Sequence, residues 1–96
     1  MPVYQLSVIV VCLNSAAVRE ACLAALVKQV DMQSVEILSV GHLNEKDDEM
    51  RQKFPGVRWL DVSANTTIPQ MRTHGILQSQ GEVIVLLEDD CFVEDG

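Results

Sequence analysis

Positions 6–11 read LSVIVV and positions 83–87 read VIVLL, two runs that are almost wholly apolar, rich in β-branched residues, and continuous rather than alternating. A strand apolar on both faces must be covered on both faces, which is the habit of parallel sheets flanked by helices. No other feature of the chain limits its fold as much. Parallel neighbours need a crossover of a dozen or more residues, usually helical, and the intervening segments supply it. Asn14 and Ser15 offer a helix N-cap after the first run. Val18, Cys22, Ala25, Leu26 and Gln29 follow at the spacing of an amphipathic helix. Positions 35–40 read as a second strand ended by Gly41. Positions 45–53 are charged and helix-favouring, closed by Pro55-Gly56. Positions 57–61 alternate and carry Arg58 and Asp61, which suits an edge strand. Thr66 or Thr67 caps a third helix with Pro69 in its first turn. Met71, Ile76 and Leu77 give that helix an apolar side, and Gly81 stops it before the fourth strand.

The order β-α-β-α-β-α-β predicts an α/β fold, a Rossmann-like parallel sheet with right-handed crossovers and flanking helices. Strand order 3-2-1-4 puts the first two helices on one face and the third on the other. Ninety-six residues allow one domain at most. Ligands of such sheets bind beyond the carboxyl ends of the strands. Asn14, the loop at 41–44 and the triplet Glu88-Asp89-Asp90 all fall there.

The formal net charge of −7 argues against nucleic acid as a partner, since phosphates attract Lys and Arg. Cys12, Cys22 and Cys91 are irregularly spaced and form neither a disulfide framework nor a Cys/His metal pattern. Reduced thiols imply a cytoplasmic location. The apolar stretch 6–13 lacks the basic flank of a signal peptide. It is also far shorter than the ~20 residues of a membrane span, so no transmembrane segment is expected.

Three adjacent carboxylates after an apolar strand repel one another by roughly 1 kcal/mol per pair in water, and by more at lower dielectric. Solvation, a cation or a ligand's hydrogen bonds must offset that. Hard divalent ions take carboxylate oxygens, and Mg²⁺ typically takes one or two of them plus substrate phosphates. By spacing alone, a metal or nucleotide site and a solvated acidic loop stand level. An Asp-x-Asp phosphatase of the haloacid-dehalogenase type carries its acids near the start of the chain, with Thr or Val following; here Phe92 holds that place. A phospho-acceptor receiver domain has its acids after the first strand, where this chain has Val11-Cys12-Leu13-Asn14.

LSVIVVCLNSAAVREACLAALVKQ, then VEILSV, then SANTTIPQMRTHGILQSQGEVIVLLEDD resembles the N-terminal half of family 2 glycosyltransferases with the GT-A fold. The most specific part is Arg72-x-x-Gly75, then Gly81-Glu82, then the strand into Glu88-Asp89-Asp90. The resemblance implies sugar transfer from a nucleotide-diphosphate donor to an acceptor, usually with inversion and a divalent metal, Mg²⁺ or Mn²⁺. It implies that Asp90 holds the metal. Glu88 falls on the first acid of the DxD-like motif, and Asp89 on a position that contacts the ribose. Arg72 lies near the nucleotide, while Asn14 and the preceding Leu13 shape the base pocket. By residue type alone Arg72 is a surface cation and Asn14 a helix cap; the resemblance is what raises both. Leu13 and Val11 replace the family's aromatic residue and Thr, and Gly41-His42 stand where it has acids that read the base. His42 can hydrogen-bond a base instead. Trp59 reads as edge-strand packing, the acids at 45–49 as a solvated helix face, and Cys91 as a thiol without a role.

The resemblance further implies that residues 1–96 are an incomplete GT-A domain, a donor-binding half without the acceptor site. No catalytic residue is therefore assigned, and the fragment alone is expected to be inactive. The acceptor is a glycan or lipid, and the whole enzyme acts in the cytoplasm or at the cytosolic face of a membrane. A non-catalytic sugar-nucleotide or metal-binding module and an inert fragment are the alternatives. The run at 83–87 has the pattern of an interior strand but falls at an edge in the order 3-2-1-4. That predicts that the isolated fragment forms a homodimer or aggregates through this edge.

Overall fold

The first apolar run becomes the middle of a four-stranded parallel sheet in the computed structural model, which describes residues 4–13, 15–42 and 47–89. Its elements are β1 (Tyr4–Val11), α1 (Ala16–Gln29), β2 (Val35–Gly41), α2 (Asp47–Lys53), β3 (Arg58–Asp61), α3 (Ile68–Gln78) and β4 (Gly81–Glu88). The strand order is β3-β2-β1-β4, as the sequence predicts. In register, Val8 of β1 lies between Ile37 of β2 and Val85 of β4, and Ile9 between Leu38 and Leu86.

Each face of the sheet has its own core, as the both-faces-apolar run requires. On one face, Val8, Val10 and Ile37 pack with Cys22, Leu23 and Leu26 of α1, Met50 of α2 and Val57. On the other, Ile9, Val11, Leu38 and Val40 pack with Met71 of α3. Helix α3 comes so close to the sheet that a Cβ at Gly75 would lie 2.6 Å from Ile9 Cγ2. Only glycine permits that approach without displacing a fully buried side chain.

Two helices present different faces from those expected. Among the described side chains of α1 the buried positions are Arg19, Cys22, Leu23 and Leu26, while Gln29 is exposed. The stripe is therefore rotated from the one expected, and it contains a cation. In α3, Met71 and Gly75 face the sheet, whereas Ile76 and Leu77 are exposed. Thr67, not Thr66, caps α3 through a full capping box. Its Oγ1 accepts from the Gln70 N–H (3.3 Å), and Gln70 Oε1 accepts from the Thr67 N–H (2.9 Å). The helix ends at Gln78, before Gly81, which opens β4. Gly81 is needed there because a Cβ would fall 2.6 Å from the Ser7 backbone nitrogen.

Strand β4 is the unusual element. Among the described residues nothing pairs with its outer edge, and Val83, Ile84, Val85 and Leu86 are all exposed, Val83 to 58%. The opposite edge, β3, carries Arg58 and Asp61, the charged pattern that discourages further pairing. Among the described residues no helix is long and apolar enough to cross a membrane.

One buried charge ties the amino-terminal end of the sheet together. Glu36 of β2 is 3% exposed. It accepts hydrogen bonds from Ser7 Oγ (2.9 Å), the Gln80 N–H (2.9 Å) and Arg58 Nη1 (2.8 Å). Arg58 also donates to the Gln78 carbonyl (2.7 Å), and the Gly81 N–H donates to Ser7 Oγ (2.8 Å). All four strands and the α3–β4 junction meet in this cluster. Burial alone would raise the Glu36 pKa, but the bonds from Arg58, Gln80 and Ser7 outweigh it and hold the carboxyl below the ordinary glutamate value of 4.5. A folded-state pKa below the unfolded one adds stability at neutral pH, and that stability is lost as pH falls through the folded-state value. Glu36→Gln should lower unfolding stability at pH 7 by about 1–3 kcal/mol and flatten the loss of stability below pH 4.5. Urea titrations of both proteins across the acid range measure both effects.

Candidate functional site

The carboxyl ends of β1, β2 and β4 meet where the crossovers change direction, the position at which open parallel sheets bind ligands. The β1 end is continued by Cys12, whose N–H donates to the Val40 carbonyl (2.8 Å) and so carries the ladder past the strand. Helix α1 then starts at the Ser15 cap, whose Oγ accepts from the Val18 N–H (3.4 Å). Gly41 at the end of β2 is buried, and a Cβ there would lie 2.8 Å from Cys12 Cβ. The ends of β1 and β2 are consequently in close contact.

Asp89 locks β4 onto this turn. Its N–H donates to the Val11 carbonyl (3.0 Å), and its Oδ1 accepts from the Leu13 N–H (3.1 Å). The residue is fully buried. Seventy-six positions apart in sequence, Leu13 and Asp89 are thus joined directly. Glu88, beside Val11 in register, faces α3, where Arg72 Nη2 lies 3.4 Å from its Oε1. Both side chains of this ion pair are more than a third exposed, so it orients Arg72 toward the rim more than it stabilises the fold. The structure therefore gathers Leu13, Arg72, Glu88 and Asp89 at one rim. The other two site residues expected from sequence, Asn14 and Asp90, lie outside the described residues.

A cleft of about 380 Å³ adjoins this rim, lined by Cys12, Leu13, Arg19, His42, Ala64, Thr66 and Met71. That size lies within the range of small-molecule sites. A larger hollow of about 760 Å³ lies at the opposite end of the sheet, lined by residues that include Tyr4, Ser34, Glu82 and Val83. It sits at the amino-terminal ends of the strands, where parallel sheets do not place ligands, so the smaller cleft is the candidate. His42 stands at its edge, with Nδ1 3.1 Å from the Val62 carbonyl. A carbonyl can only accept, so Nδ1 carries the proton and Nε2 of the neutral ring is an acceptor.

Arg19 lines the candidate cleft but was not among the residues the sequence singled out. It is 6% exposed and lines the cleft from the first turn of α1. The signal was present: Arg19, Cys22, Leu23 and Leu26 fall at i, i+3, i+4 and i+7, a helical stripe that begins with a guanidinium. Among the described residues no three His, Cys, Asp or Glu side chains gather as a metal cage. A Mg²⁺ shared with a diphosphate would need only one or two carboxylates; of the described carboxylates at the end of β4, Glu88 is partly exposed and Asp89 fully buried.

Compared with known families, residues 7–96 match the sequence model of glycosyl transferase family 2. Comparison with curated proteins finds no match. Asp89→Ala removes the acceptor that holds the Leu13 N–H and should cost about 1–3 kcal/mol of stability. Hydrogen exchange at the Leu13 amide should quicken by more than exchange at the centre of β1. Uniform acceleration of both would show that the contact is not local to the rim.

Proposed function

The chain belongs to family 2 of the glycosyltransferases, and on that premise we propose that its carboxyl-end rim binds a nucleotide-diphosphate sugar for transfer to a glycan or lipid acceptor. A glycosyltransferase-type function follows from the family match. The observation that carries the finer reading is the bond from the Leu13 N–H to Asp89 Oδ1. It draws the acidic end of β4 to the β1 turn, so that carboxylates, Arg72 and the cleft share one rim.

In this reading Asp90 holds Mg²⁺ or Mn²⁺, and Asp89 fixes the turn that presents it. A divalent ion bound there would neutralise the diphosphate and stabilise it as a leaving group. Arg72, set by Glu88, supplies a second positive charge beside the phosphates. Leu13 gives the nucleoside an apolar wall. No residue is assigned as the base that deprotonates the acceptor hydroxyl. The activity belongs to the cytoplasm or the cytosolic face of a membrane.

Calorimetry with UDP, GDP and dTDP, with and without Mn²⁺, tests this. Metal-dependent binding that Asp90→Ala weakens at least tenfold is the expected result. Binding indifferent to metal would favour a sugar-nucleotide-binding module without this chemistry. No binding by any of the three would leave an inert domain.

The proposed protein partner is a second copy, paired through β4. An antiparallel pair about a two-fold axis perpendicular to the sheet, centred on Ile84, would set Val83 against Val85 and Glu82 against Leu86. Centring on Val85 would oppose Glu82 and Glu88, a like-charge pair that destabilises. Avoiding that pair favours the Ile84 register, and Val83, Ile84, Val85 and Leu86 are exposed to form it. Sedimentation at tens of micromolar should find a dimer, and Ile84→Lys should yield monomer. A monomeric unsubstituted chain would remove this partner.

A further inference from the structure

We infer that β4 is a strap: it opens from the sheet by itself, turning about Gln80-Gly81, and its closure by Asp89 assembles the rim. Its effect on ligands rests on the donor-site reading above and adds how that site is controlled. A segment opens apart from the rest of a fold when little buried apolar surface holds it down. Among the described residues β4 meets that condition. It pairs with β1 alone. Val83, Ile84, Val85 and Leu86 are exposed, and Leu87 is its one apolar side chain partly buried against a core. Strand β2 is the opposite case, with Ile37, Leu38 and Val40 fully buried and a strand paired on each side.

Hydrogen bonds fasten the strap at both ends, and the two ends differ in what opening costs. At the start, the Gln80 N–H donates to Glu36 Oε1 (2.9 Å) and the Gly81 N–H to Ser7 Oγ (2.8 Å). Both acceptors are buried and stay behind on β2 and β1. Opening there would leave a buried carboxylate short of a donor, the costly way to break a hydrogen bond. Arg58 also joins Glu36 to the Gln78 carbonyl at the end of α3. At the other end the buried carboxylate belongs to the strap itself. Asp89 accepts from the Leu13 N–H (3.1 Å) and donates its own N–H to the Val11 carbonyl (3.0 Å). When that end lifts, the carboxylate goes into water with the strap and is not stranded in the core. The Glu36 end is therefore the hinge and the Asp89 end the latch. Lifting carries Glu88 away from Arg72 and parts Asp89 from Leu13, so the rim exists only in the closed state. A ligand that binds only the closed rim draws the strap shut by mass action.

Hydrogen exchange resolved to single amides by mass spectrometry tests this on the 96-residue chain. It is run at a dilution below any dimer that sedimentation detects, because pairing through β4 would hold the strap down. Relative to their intrinsic rates, the β1-bonded amides of β4 should exchange about 10-fold faster or more than the ladder amides of β2. Low urea should quicken β2 steeply and β4 hardly at all, since lifting one exposed strand uncovers little surface. Glu36→Gln, which weakens a hinge that stays closed, should quicken β2 but not residues 84–88. Asp89→Ala, which removes the latch, should quicken residues 84–88 by about 10-fold. A common rate for β4 and β2, a shared steep urea dependence, or equal acceleration of both by Glu36→Gln would overturn the strap. So would β4 exchange that Asp89→Ala leaves unchanged. Saturating Mg²⁺ and inorganic pyrophosphate should slow the β4 amides. If β4 opens as described but pyrophosphate has no effect on it, the donor-site reading fails while the strap stands.

Discussion

Burial of β1 from both sides is the constraint from which the remaining structure follows. A strand with Val8 and Val10 on one face and Ile9 and Val11 on the other needs two layers of helix. With parallel neighbours on both edges, it can receive them only by crossovers that leave in opposite directions. Helices α1 and α2 cover one face and α3 the other. That division creates the change of direction beside β1, and with it the rim where Leu13 and Asp89 meet. The site is thus a consequence of how the core is closed.

The two ends of the sheet handle buried polarity in different ways. At the amino-terminal end, Glu36 is surrounded by Arg58, the Gln80 N–H and Ser7, and its desolvation is offset within the protein. Three of its hydrogen-bonding positions are used, and the cluster joins strands to a helix end. At the carboxyl end, Asp89 is fully buried and accepts from the Leu13 amide, while Glu88 and Arg72 remain partly open to solvent. A cluster closed on itself serves as a fastening. Open charged groups beside a cleft keep their capacity for a ligand.

Much of this was legible in the sequence, and the limits are physical. Strand order came from patterns that single segments carry: continuous apolar runs at 6–11 and 83–87, and the charged alternation around Arg58 and Asp61. The cap of α3 was legible to within one residue, because Thr and Pro act locally. Helix faces were harder. Arg19 was passed over since a cation is counted as polar, although its aliphatic stem packs like a hydrophobe. Ile76 and Leu77 read as part of the apolar side of α3, yet α3 touches the sheet through Met71 and Gly75. A glycine contributes no hydropathy signal, so the tightest contact of the helix was invisible to periodicity. The Asp89 clasp joins residues 76 positions apart, a link that no local pattern encodes. Sequence placed the rim's residue types at strand ends; the hydrogen bonds that unite them required coordinates.

An acidic chain that binds a diphosphate must overcome its own field. The net charge of −7 disfavours an anion at long range, but charges farther than about 8 Å are largely screened at physiological ionic strength. What counts is the charge within that radius, and there the topology helps. Every helix that follows a strand in a parallel sheet begins at the carboxyl edge, so α1 and α3 both direct their positive ends toward the rim. Arg19 lies in the first turn of α1 and Arg72 in the second turn of α3. The positive groups therefore lie on helix starts and the carboxylates on the end of β4, with the cleft between them. In the proposed reading this separation would let one rim hold a cation and an anion together, which a uniformly acidic surface could not do.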